Sequence, residues 1–189
     1  LKFNNPFKIK FKENSKFIIN SLNVAHKLGL SKNVAGIINC SIDKKLLKKT
    51  NCGVTEILAS KSGIKDNSEV MLIGNNKMFV SPITTHIDLK NVSKRINVQL
   101  IVKKIKTINE WYRKKFKNKP KIAILGLNPH NGELKNSSEE KKFILPAIEK
   151  LLKIGIKIHG PKVADTIFIN DYKKYNIIVG MYHDQVLSP

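Results

Sequence analysis

Three of the five histidines come within a few residues of the end of an apolar, strand-like run: His86, His130 and His183. In open α/β sheets, ligands bind just outside the carboxyl ends of the strands, so these imidazoles could converge on one divalent metal ion. Imidazole suits Zn, Co, Ni or Fe, and three protein ligands leave coordination positions open for a substrate. The alternative is that each histidine makes an ordinary hydrogen bond, and the spacing alone does not decide. His26 and His159 lack this placement and are interpreted as structural.

Two aspartates lie close enough in the chain to assist such a site. Asp184 adjoins His183, and Asp165 precedes a β-like apolar segment at residues 166–168. A carboxylate beside an imidazole can orient a metal ligand or take part in proton transfer. The alternative for each aspartate is a helix cap or a solvated surface position.

A turn-rich loop at residues 128–132 joins a predicted strand to a predicted helix. Its backbone amides could contact a phosphate, or the loop could be a plain turn. The sequence contains neither the glycine fingerprint of a Rossmann fold nor a P-loop motif, so neither of these nucleotide-binding sites is predicted.

The hydrophobic pattern alternates between helical and strand-like segments. Helices are predicted at residues 15–28, 44–49, 55–59, 93–116 and 139–154, and strands at 34–38, 70–73, 77–83, 121–127 and 175–181. The helix near 55 is expected to be capped by Thr55, and the strands 70–73 and 77–83 are expected to form a hairpin. Strands that are continuous apolar runs separated by helices predict an α/β fold with a mostly parallel sheet flanked by helices.

Composition narrows the class of protein. The chain has 189 residues, with 35 Lys+Arg against 14 Asp+Glu and a formal charge of +21. Only Arg95 and Arg113 are arginines, and arginine is the residue favoured for base and phosphate recognition, so no specific nucleic-acid partner is predicted. The sequence has no apolar run long enough to cross a membrane, which predicts no membrane partner. Cys40 and Cys52 are too few for a disulfide framework, and a cytoplasmic location is expected.

Five ordered segments resemble the signature of the 4-hydroxythreonine-4-phosphate dehydrogenase family of pyridoxal phosphate (vitamin B6) biosynthesis. In chain order they are 53–56 (GVTE), 84–89 (TTHIDL), 126–133 (GLNPHNGE) with 139–140 (EE) and 146–148 (PAI), 160–161 (GP) with 164–168 (ADTIF), and 181–185 (MYHDQ). The resemblance runs from about Phe17 to Pro189, and it identifies the chain as part of a member of this family.

The resemblance implies a fold similar to that of the isocitrate and isopropylmalate dehydrogenases. Residues 1–189 would then be a partial domain, incomplete at both ends, of an enzyme with two subdomains whose boundary the sequence does not locate. The family is homodimeric, with its site in a cleft at the subunit interface. Its metal ligands are three histidines drawn from both subunits, and they correspond to His86, His130 and His183.

The implied reaction needs NAD or NADP and a divalent metal ion (Zn, Mg or Co). The enzyme would oxidise the small phosphorylated substrate 4-phosphooxy-L-threonine to 2-amino-3-oxo-4-phosphooxybutanoate, which decarboxylates to 3-amino-2-oxopropyl phosphate. Thr55 corresponds to a substrate-binding residue, while Asp165 and Asp184 are catalytic candidates or candidates for orienting the metal ligands. The cofactor-binding residues are unknown, with Asn128, Asn131 and Gly132 as candidates, and Lys44 is a guess for the substrate phosphate.

Several positions depart from the family pattern. Val54 replaces a histidine that contacts the substrate, and Val186 replaces a glycine in a turn. The family's first strand would precede Leu1, and a substrate-binding lysine would follow Pro189, so poor activity is expected of this piece alone. Two alternatives remain open: a sister dehydrogenase acting on threonate or erythronate 4-phosphate, and an inactive remnant of the fold.

Overall fold

The computed structural model describes residues 11–31, 33–47, 53–64, 68–75 and 78–189. The chain divides into two compact units, Leu1–Asp66 and Asn67–Pro189. Within the described residues, no helix is both long enough and apolar enough to cross a lipid bilayer.

The first unit is helical where it is described. Its elements are helix α1 (Phe11–Leu30), a 3-10 turn (Lys44–Leu47) and helix α2 (Val54–Lys61). Leu22, Leu47 and Ile57, one from each element, form a small buried cluster. The helix predicted at 15–28 is confirmed and is longer at both ends. The short helix predicted at 44–49 is confirmed as a 3-10 turn up to Leu47, and residues 48 and 49 lie outside the described part.

Two predictions for the first unit are wrong. Residues 34–38, predicted as a buried strand, have no regular structure, and Ile38 is fully exposed. An apolar run makes a buried strand only where neighbouring strands pair with it, and none does so among the described residues. Thr55 does not cap α2, because the helix begins one residue earlier, after an extended Gly53, and no side chain bonds to its first turn.

A five-stranded sheet forms the centre of the second unit. Its strands are β1 (Ile73–Gly74), β2 (Phe79–Pro82), β3 (Ile122–Leu125), β4 (Ile158–Lys162) and β5 (Ile177–Gly180). Their spatial order is β1-β2-β5-β3-β4. β2, β5, β3 and β4 are parallel, and β1 pairs antiparallel with β2. The predicted mostly parallel α/β sheet is therefore confirmed, as is the hairpin, although β1 is shorter than expected.

Helices and helical turns surround this sheet. They are α3 (Val92–Arg95), α4 (Val98–Phe116), α5 (Leu145–Lys153), α6 (Ala164–Thr166) and α7 (Asp184–Leu187). The single helix predicted at 93–116 is divided in two, because Asn97 is extended and its Oδ1 accepts a hydrogen bond from the Leu100 amide at 2.9 Å as an N-cap. The helix predicted at 139–154 starts as a π-helical turn before α5. Pro146 has no backbone N–H, so it cannot donate the hydrogen bond to the carbonyl four residues earlier that a regular α-helix would have there.

Side chains of the central strands alternate between two apolar layers. Ile122 and Ile124 of β3 face the larger cluster together with residues of α4 and α5. Ala123 and Leu125 face a smaller cluster that includes Ile167. Both faces of the sheet are thus covered, which explains why its strands are continuous apolar runs.

The sequence does not predict β4, because its Gly160-Pro161 pair is typical of a turn. The strand nevertheless pairs with β3, with Ile158 opposite Ile122, and its Gly160-Pro161 peptide bond is cis. The segment 166–168, interpreted as β-like, is helical instead and continues α6. A three-residue apolar run is too short to show the period that distinguishes a helix from a strand. Asp165 therefore could not be placed from the sequence, and it lies in a helix rather than before a strand.

A buried lysine of α4 allows a stability prediction. Lys104 is 5% exposed, and its Nζ donates to the Glu69 carbonyl oxygen at 2.9 Å. Burial lowers the pKa of Lys104, and the nearby Glu69 carboxylate opposes that effect. Methionine has a similar length and removes the buried charge, so Lys104→Met is expected to raise the free energy of unfolding at neutral pH by about 1 kcal/mol.

The gain from Lys104→Met should depend on pH. The folded protein loses the Lys104 proton at a lower pH than the unfolded chain does, so wild-type stability rises as the pH passes from the lowered pKa towards the ordinary 10.5. The advantage of the variant therefore shrinks in alkaline solution. Urea unfolding across this range measures it, with the exposed Lys106→Met of the same helix as the control. A less stable Lys104→Met at neutral pH would contradict the prediction.

Candidate active site

The three strand-end histidines follow three strands that are adjacent in the sheet. His86 follows β2, His183 follows β5 and His130 follows β3, and β5 lies between the other two. Because these strands are parallel, their carboxyl ends meet at one edge of the sheet. The topology therefore places the histidine-bearing loops side by side.

Two of the histidines are in ring contact. The ring centroids of His86 and His183 are 6.2 Å apart, and the rings are tilted by 40°. Nδ1 of His183 lies 2.7 Å from Oδ1 of Asp184. With Nδ1 engaged by the carboxylate, Nε2 is the nitrogen of His183 available to a metal ion. Asp184 thus lies where a residue that orients the imidazole is needed.

His130 is not brought into a cluster with the other two. Across the described ranges, no three His, Cys, Asp or Glu side chains lie close enough to hold one metal ion. His130 is exposed within a turn, Pro129–Leu134, in which residues 130–133 all have left-handed backbone angles. Such angles are unfavourable for residues other than glycine, so other contacts must hold this turn.

Glu140 supplies those contacts from beneath the turn. Its carboxylate is fully buried and accepts hydrogen bonds from the Leu127 amide, the Asn128 amide and the Asn128 side chain, the two amide bonds each measuring 2.8 Å. Burial favours the neutral acid, but these hydrogen bonds outweigh it and lower the pKa of Glu140. Glu140 is therefore an ionised anchor at the end of β3.

Two of the three candidate loop residues, Asn128 and Gly132, also line an open pocket. Its volume is about 390 Å³, and its lining includes Asn128, His130, Gly132, Lys135, Ser138 and Glu139. The Asn131 amide group donates to the Pro161 carbonyl oxygen at 3.1 Å. Gly132 is in the left-handed region, and a Cβ there would come within 3.1 Å of Glu140 Oε2. The pocket is thus a shallow surface beside His130 whose shape depends on the buried carboxylate.

A second set of buried polar contacts connects the strand ends. Thr84 Oγ1 donates to the Met181 carbonyl oxygen at 2.7 Å. The Met181 amide donates to Gln185 Oε1 at 2.7 Å, and Gln185 Nε2 donates to the Gly126 carbonyl oxygen at 2.7 Å. Thr84, Gln185 and Glu140 are not among the site residues predicted from the sequence. A polar residue beside a predicted strand end or inside an apolar helical pattern is the signal that could have found them.

The remaining predicted site residues lie in different parts of the chain. Thr55 is exposed and belongs to the first unit. Asp165 is exposed in α6, and no described contact connects it with a histidine. The Lys44 side chain lies outside the described part of the structure. Val54 packs against the cluster of Leu22, Leu47 and Ile57, so part of its side chain serves the core of the first unit.

Val186, predicted from the family pattern to replace a glycine, has a structural role here. It is 3% exposed and belongs to the cluster on the second face of the sheet. A Cβ on Gly180 would come within 2.6 Å of Val186 Cγ1. The valine therefore fills the space left by Gly180 and packs α7 against β5.

Comparison with known proteins identifies relatives of this chain. A sequence profile for the family described as pyridoxal phosphate biosynthetic protein PdxA matches residues 5–189. A 4-hydroxythreonine-4-phosphate dehydrogenase of Sulfurihydrogenibium sp. (strain YO3AOP1) is 42% identical over 185 residues, which are 94% of this chain and 56% of the relative. A protein of Oceanobacillus iheyensis, named provisionally as a D-threonate 4-phosphate dehydrogenase, is 33% identical over 89% of this chain and 52% of its own.

The fold has close solved counterparts. The crystal structure of a 4-hydroxythreonine-4-phosphate dehydrogenase from Klebsiella pneumoniae superposes with a TM-score of 0.84 at 30% identity, covering 93% of this chain and 55% of that one. The second unit is thus an α/β structure of a class that includes dehydrogenases. The chain belongs to the PdxA family. It spans about half the length of the curated relatives that it matches.

Proposed function

We propose that this chain is part of a metal- and NAD(P)-dependent dehydrogenase that oxidises 4-phosphooxy-L-threonine in pyridoxal phosphate biosynthesis. The product, 2-amino-3-oxo-4-phosphooxybutanoate, would decarboxylate to 3-amino-2-oxopropyl phosphate. The observation that carries the proposal is the placement of three histidines at three adjacent parallel strand ends in a PdxA-family chain. An enzyme of this kind draws on the cytoplasmic pool of NAD or NADP, so the cytoplasm is the proposed location.

The residues fit a divalent metal ion in their chemistry. His86 and His183 already lie in ring contact, and Asp184 occupies the second nitrogen of His183. His86, His130 and His183 would hold the ion, which when bound acts as a Lewis acid towards the substrate oxygens. We propose that His130 is contributed by a second copy of the chain, which accords with a homodimer whose site lies at the subunit interface. The two compact units would be parts of the two subdomains.

The protein's own groups have three tasks in this site. The histidines orient the substrate's hydroxyl and carboxylate groups, and Asp184 fixes the tautomer of His183. The exposed carboxylates of Asp165 and Asp184 are candidates for moving the proton from the substrate hydroxyl. The pocket lined by Asn128 and Gly132, with Asn131 in the same loop, is the proposed position of the cofactor, while Thr55 is proposed to bind substrate.

Nicotinamide reduction tests the proposal directly. The chain is first stripped with a chelator and then incubated with NAD or NADP, 4-phosphooxy-L-threonine and one metal at a time (Zn, Mg or Co). Metal-dependent reduction with this substrate supports the proposal. No turnover with any metal, in this chain and in its full-length form, would contradict it and favour the inactive remnant of the fold.

A second candidate function is oxidation of threonate or erythronate 4-phosphate. One observation favours it, the O. iheyensis relative named for D-threonate 4-phosphate. The resemblance to the family pattern, which implies a histidine at the position of Val54, points the same way. Turnover of the two hydroxy-acid phosphates but not of the amino-acid substrate would select this alternative.

Restoring the family residue at position 54 provides a finer test. Val54→His is expected to lower the KM for 4-phosphooxy-L-threonine by about tenfold, because one polar contact is regained. The variant should also lose some stability, since Val54 packs against Ile57 and Leu22. Steady-state kinetics and thermal melting measure both effects, with the exposed Val24→His of α1 as the control. An unchanged or higher KM for Val54→His would argue against this substrate.

A further inference from the structure

A continuous chain of buried hydrogen bonds crosses the sheet at its carboxyl edge. It runs from the Thr84 hydroxyl to the Met181 carbonyl, from the Met181 amide to Gln185, and from Gln185 to the Gly126 carbonyl. The Thr84 amide also donates to the Met181 carbonyl oxygen, at 3.1 Å. Thr84, Met181 and Gln185 are all at least nine-tenths buried. Each bond is therefore shielded from water, which would otherwise compete for the same groups.

The three segments joined by this chain are those that carry the candidate metal ligands. Thr84 precedes His86 in the loop after β2. Met181 and Gln185 flank His183 after β5, and Gly126 ends β3 shortly before His130. The ladder between these strands stops at their last paired residues, Pro82, Gly180 and Ile124. Beyond that point, Thr84 and Gln185 supply side-chain hydrogen bonds between the loops. A backbone bond from Ile83 to Gly180 and the ring contact of His86 with His183 accompany them.

We propose that Gln185 and Thr84 are positioning residues that fix the histidine-bearing loops of one chain relative to one another, and thereby the geometry in which each copy presents its histidines to the metal ion. The inference rests on the proposed function, because it assumes that these histidines bind metal. Gln185 suits the task because its amide both accepts and donates, so one side chain ties β5 to β3. Thr84 ties β5 to β2 in the same way.

The backbone around Gln185 is shaped to admit its amide. A Cβ on Gly180 would come within 3.0 Å of Gln185 Oε1. Gly126, whose carbonyl receives the other end of the amide, also has no room for a side chain, because a Cβ there would collide with Oδ1 of Asn131. Gly180 thus leaves room for the glutamine amide, and Gly126 leaves room for the Asn131 side chain beside the carbonyl that Gln185 bonds. This close fit supports a role for Gln185 in fixing distance rather than merely filling space.

Loop spacing can be measured without metal by electron paramagnetic resonance. Nitroxide labels are attached through His86→Cys and His130→Cys after the native Cys40 and Cys52 are replaced by serine. The labelled chain is mixed with an excess of unlabelled chain, so that only distances within one copy are measured, and wild-type Gln185 should then give one narrow distribution. Gln185→Met, which is similar in length but cannot hydrogen-bond in this way, should broaden or shift it. An unchanged distribution would overturn the inference. Circular dichroism of each labelled sample before freezing verifies that it is folded, because labels on unfolded chains would also broaden the distribution.

Matched variants separate positioning from general effects of substitution. Gln99→Met changes an exposed glutamine of α4 and should leave the distribution unchanged. Thr107→Val removes a hydroxyl that also donates to a carbonyl, that of Lys103, and serves as the control for Thr84→Val. If Gln185→Met does not fold, Gln185→Glu keeps the acceptor for Met181 and loses only the donor to Gly126. It should still broaden the distribution between positions 86 and 130.

Cobalt titration of the unlabelled chain measures the consequence for the metal site. Gln185→Met and Thr84→Val should each weaken cobalt binding about tenfold, as loss of supporting hydrogen bonds around metal ligands commonly does. Wild-type affinity in both variants would overturn the inference even if the label distances change. A different result would contradict the proposed function itself: the wild-type chain would bind cobalt no more strongly than His183→Ala does. In that case, unchanged label distances overturn the inference, and altered distances support the positioning itself.

Discussion

Replacement of His183 by alanine is expected to reduce divalent-metal affinity by more than about 100-fold and to abolish metal-dependent turnover. Loss of a residue that merely supports a metal ligand costs 10–100-fold, and loss of the ligand itself should cost more. His183 is the most informative of the three because it contacts His86 and because Asp184 already engages its other nitrogen. His86→Ala and His130→Ala are expected to act in the same direction.

Metal content and turnover should be measured on the same samples. His159→Ala is the matched control, because His159 is exposed at the beginning of β4 rather than beyond a strand's carboxyl end. Thermal melting in the presence of a chelator establishes that each variant folds. Full metal occupancy in a triple His86, His130 and His183 alanine variant would show that the ion is bound elsewhere or that the assignment is wrong.

The central strands were predictable because their apolar runs reflect burial on both faces. Ile122 to Leu125 and Ile177 to Gly180 are buried at every position, so each run is continuous and stands out against a lysine-rich chain. The histidines could be placed beyond these strands for the same reason. The order of the strands was not predicted, because helical connections leave the spatial sequence of parallel strands open.

The hydrophobic pattern fails in opposite ways at β4, a strand that it misses, and at residues 34–38, where it predicts a strand that does not form. The sequence Ile158–Lys162 contains glycine and proline, yet pairing with β3 stabilises it as a strand. Residues 34–38 are apolar, yet among the described residues they have no pairing strand and lie largely exposed. Strand formation depends on a partner that is distant in sequence, and local composition does not report that partner.

The anchors of the candidate site escaped prediction because they act through burial. Glu140 appears in the sequence as one of many charged residues near a helix start, and Gln185 as an ordinary polar neighbour of His183. Only the folded chain shows that Glu140 accepts from two backbone amides and that Gln185 bridges two strands. The chemistry-bearing histidines are visible from type and spacing, whereas the residues that hold their loops become visible through contacts.

Glu140→Gln is expected to lower the free energy of unfolding by about 3 kcal/mol at neutral pH. The buried carboxylate accepts from the amides of Leu127 and Asn128 and from the Asn128 side chain. Hydrogen bonds to a charged acceptor contribute about 1.5–3 kcal/mol, and buried donors left unpaired add a further cost. A glutamine also places an NH2 group where donors already converge, so part of this network must break.

The destabilisation caused by Glu140→Gln should disappear in acid, because the folded protein lowers the pKa of Glu140. Glu140 has a pKa below its ordinary value of 4.5 in the folded protein, so its ionised form stabilises the fold above that pH. The contribution is lost as the pH falls from about 4.5 through the folded pKa. The stability difference between wild type and Glu140→Gln should therefore narrow across this acidic range, which urea unfolding at successive pH values measures.

Glu149→Gln provides the control for Glu140→Gln, because Glu149 is an exposed carboxylate on α5 and should change stability by less than about 0.5 kcal/mol. Glu140 also fixes the start of the left-handed turn that carries His130, so its replacement should loosen that loop. Faster amide hydrogen exchange at Leu127 and Asn128 in Glu140→Gln, but not in Glu149→Gln, would locate the loss there. Unchanged exchange and a pH-independent stability difference would show that the carboxylate is not the anchor of the His130 loop.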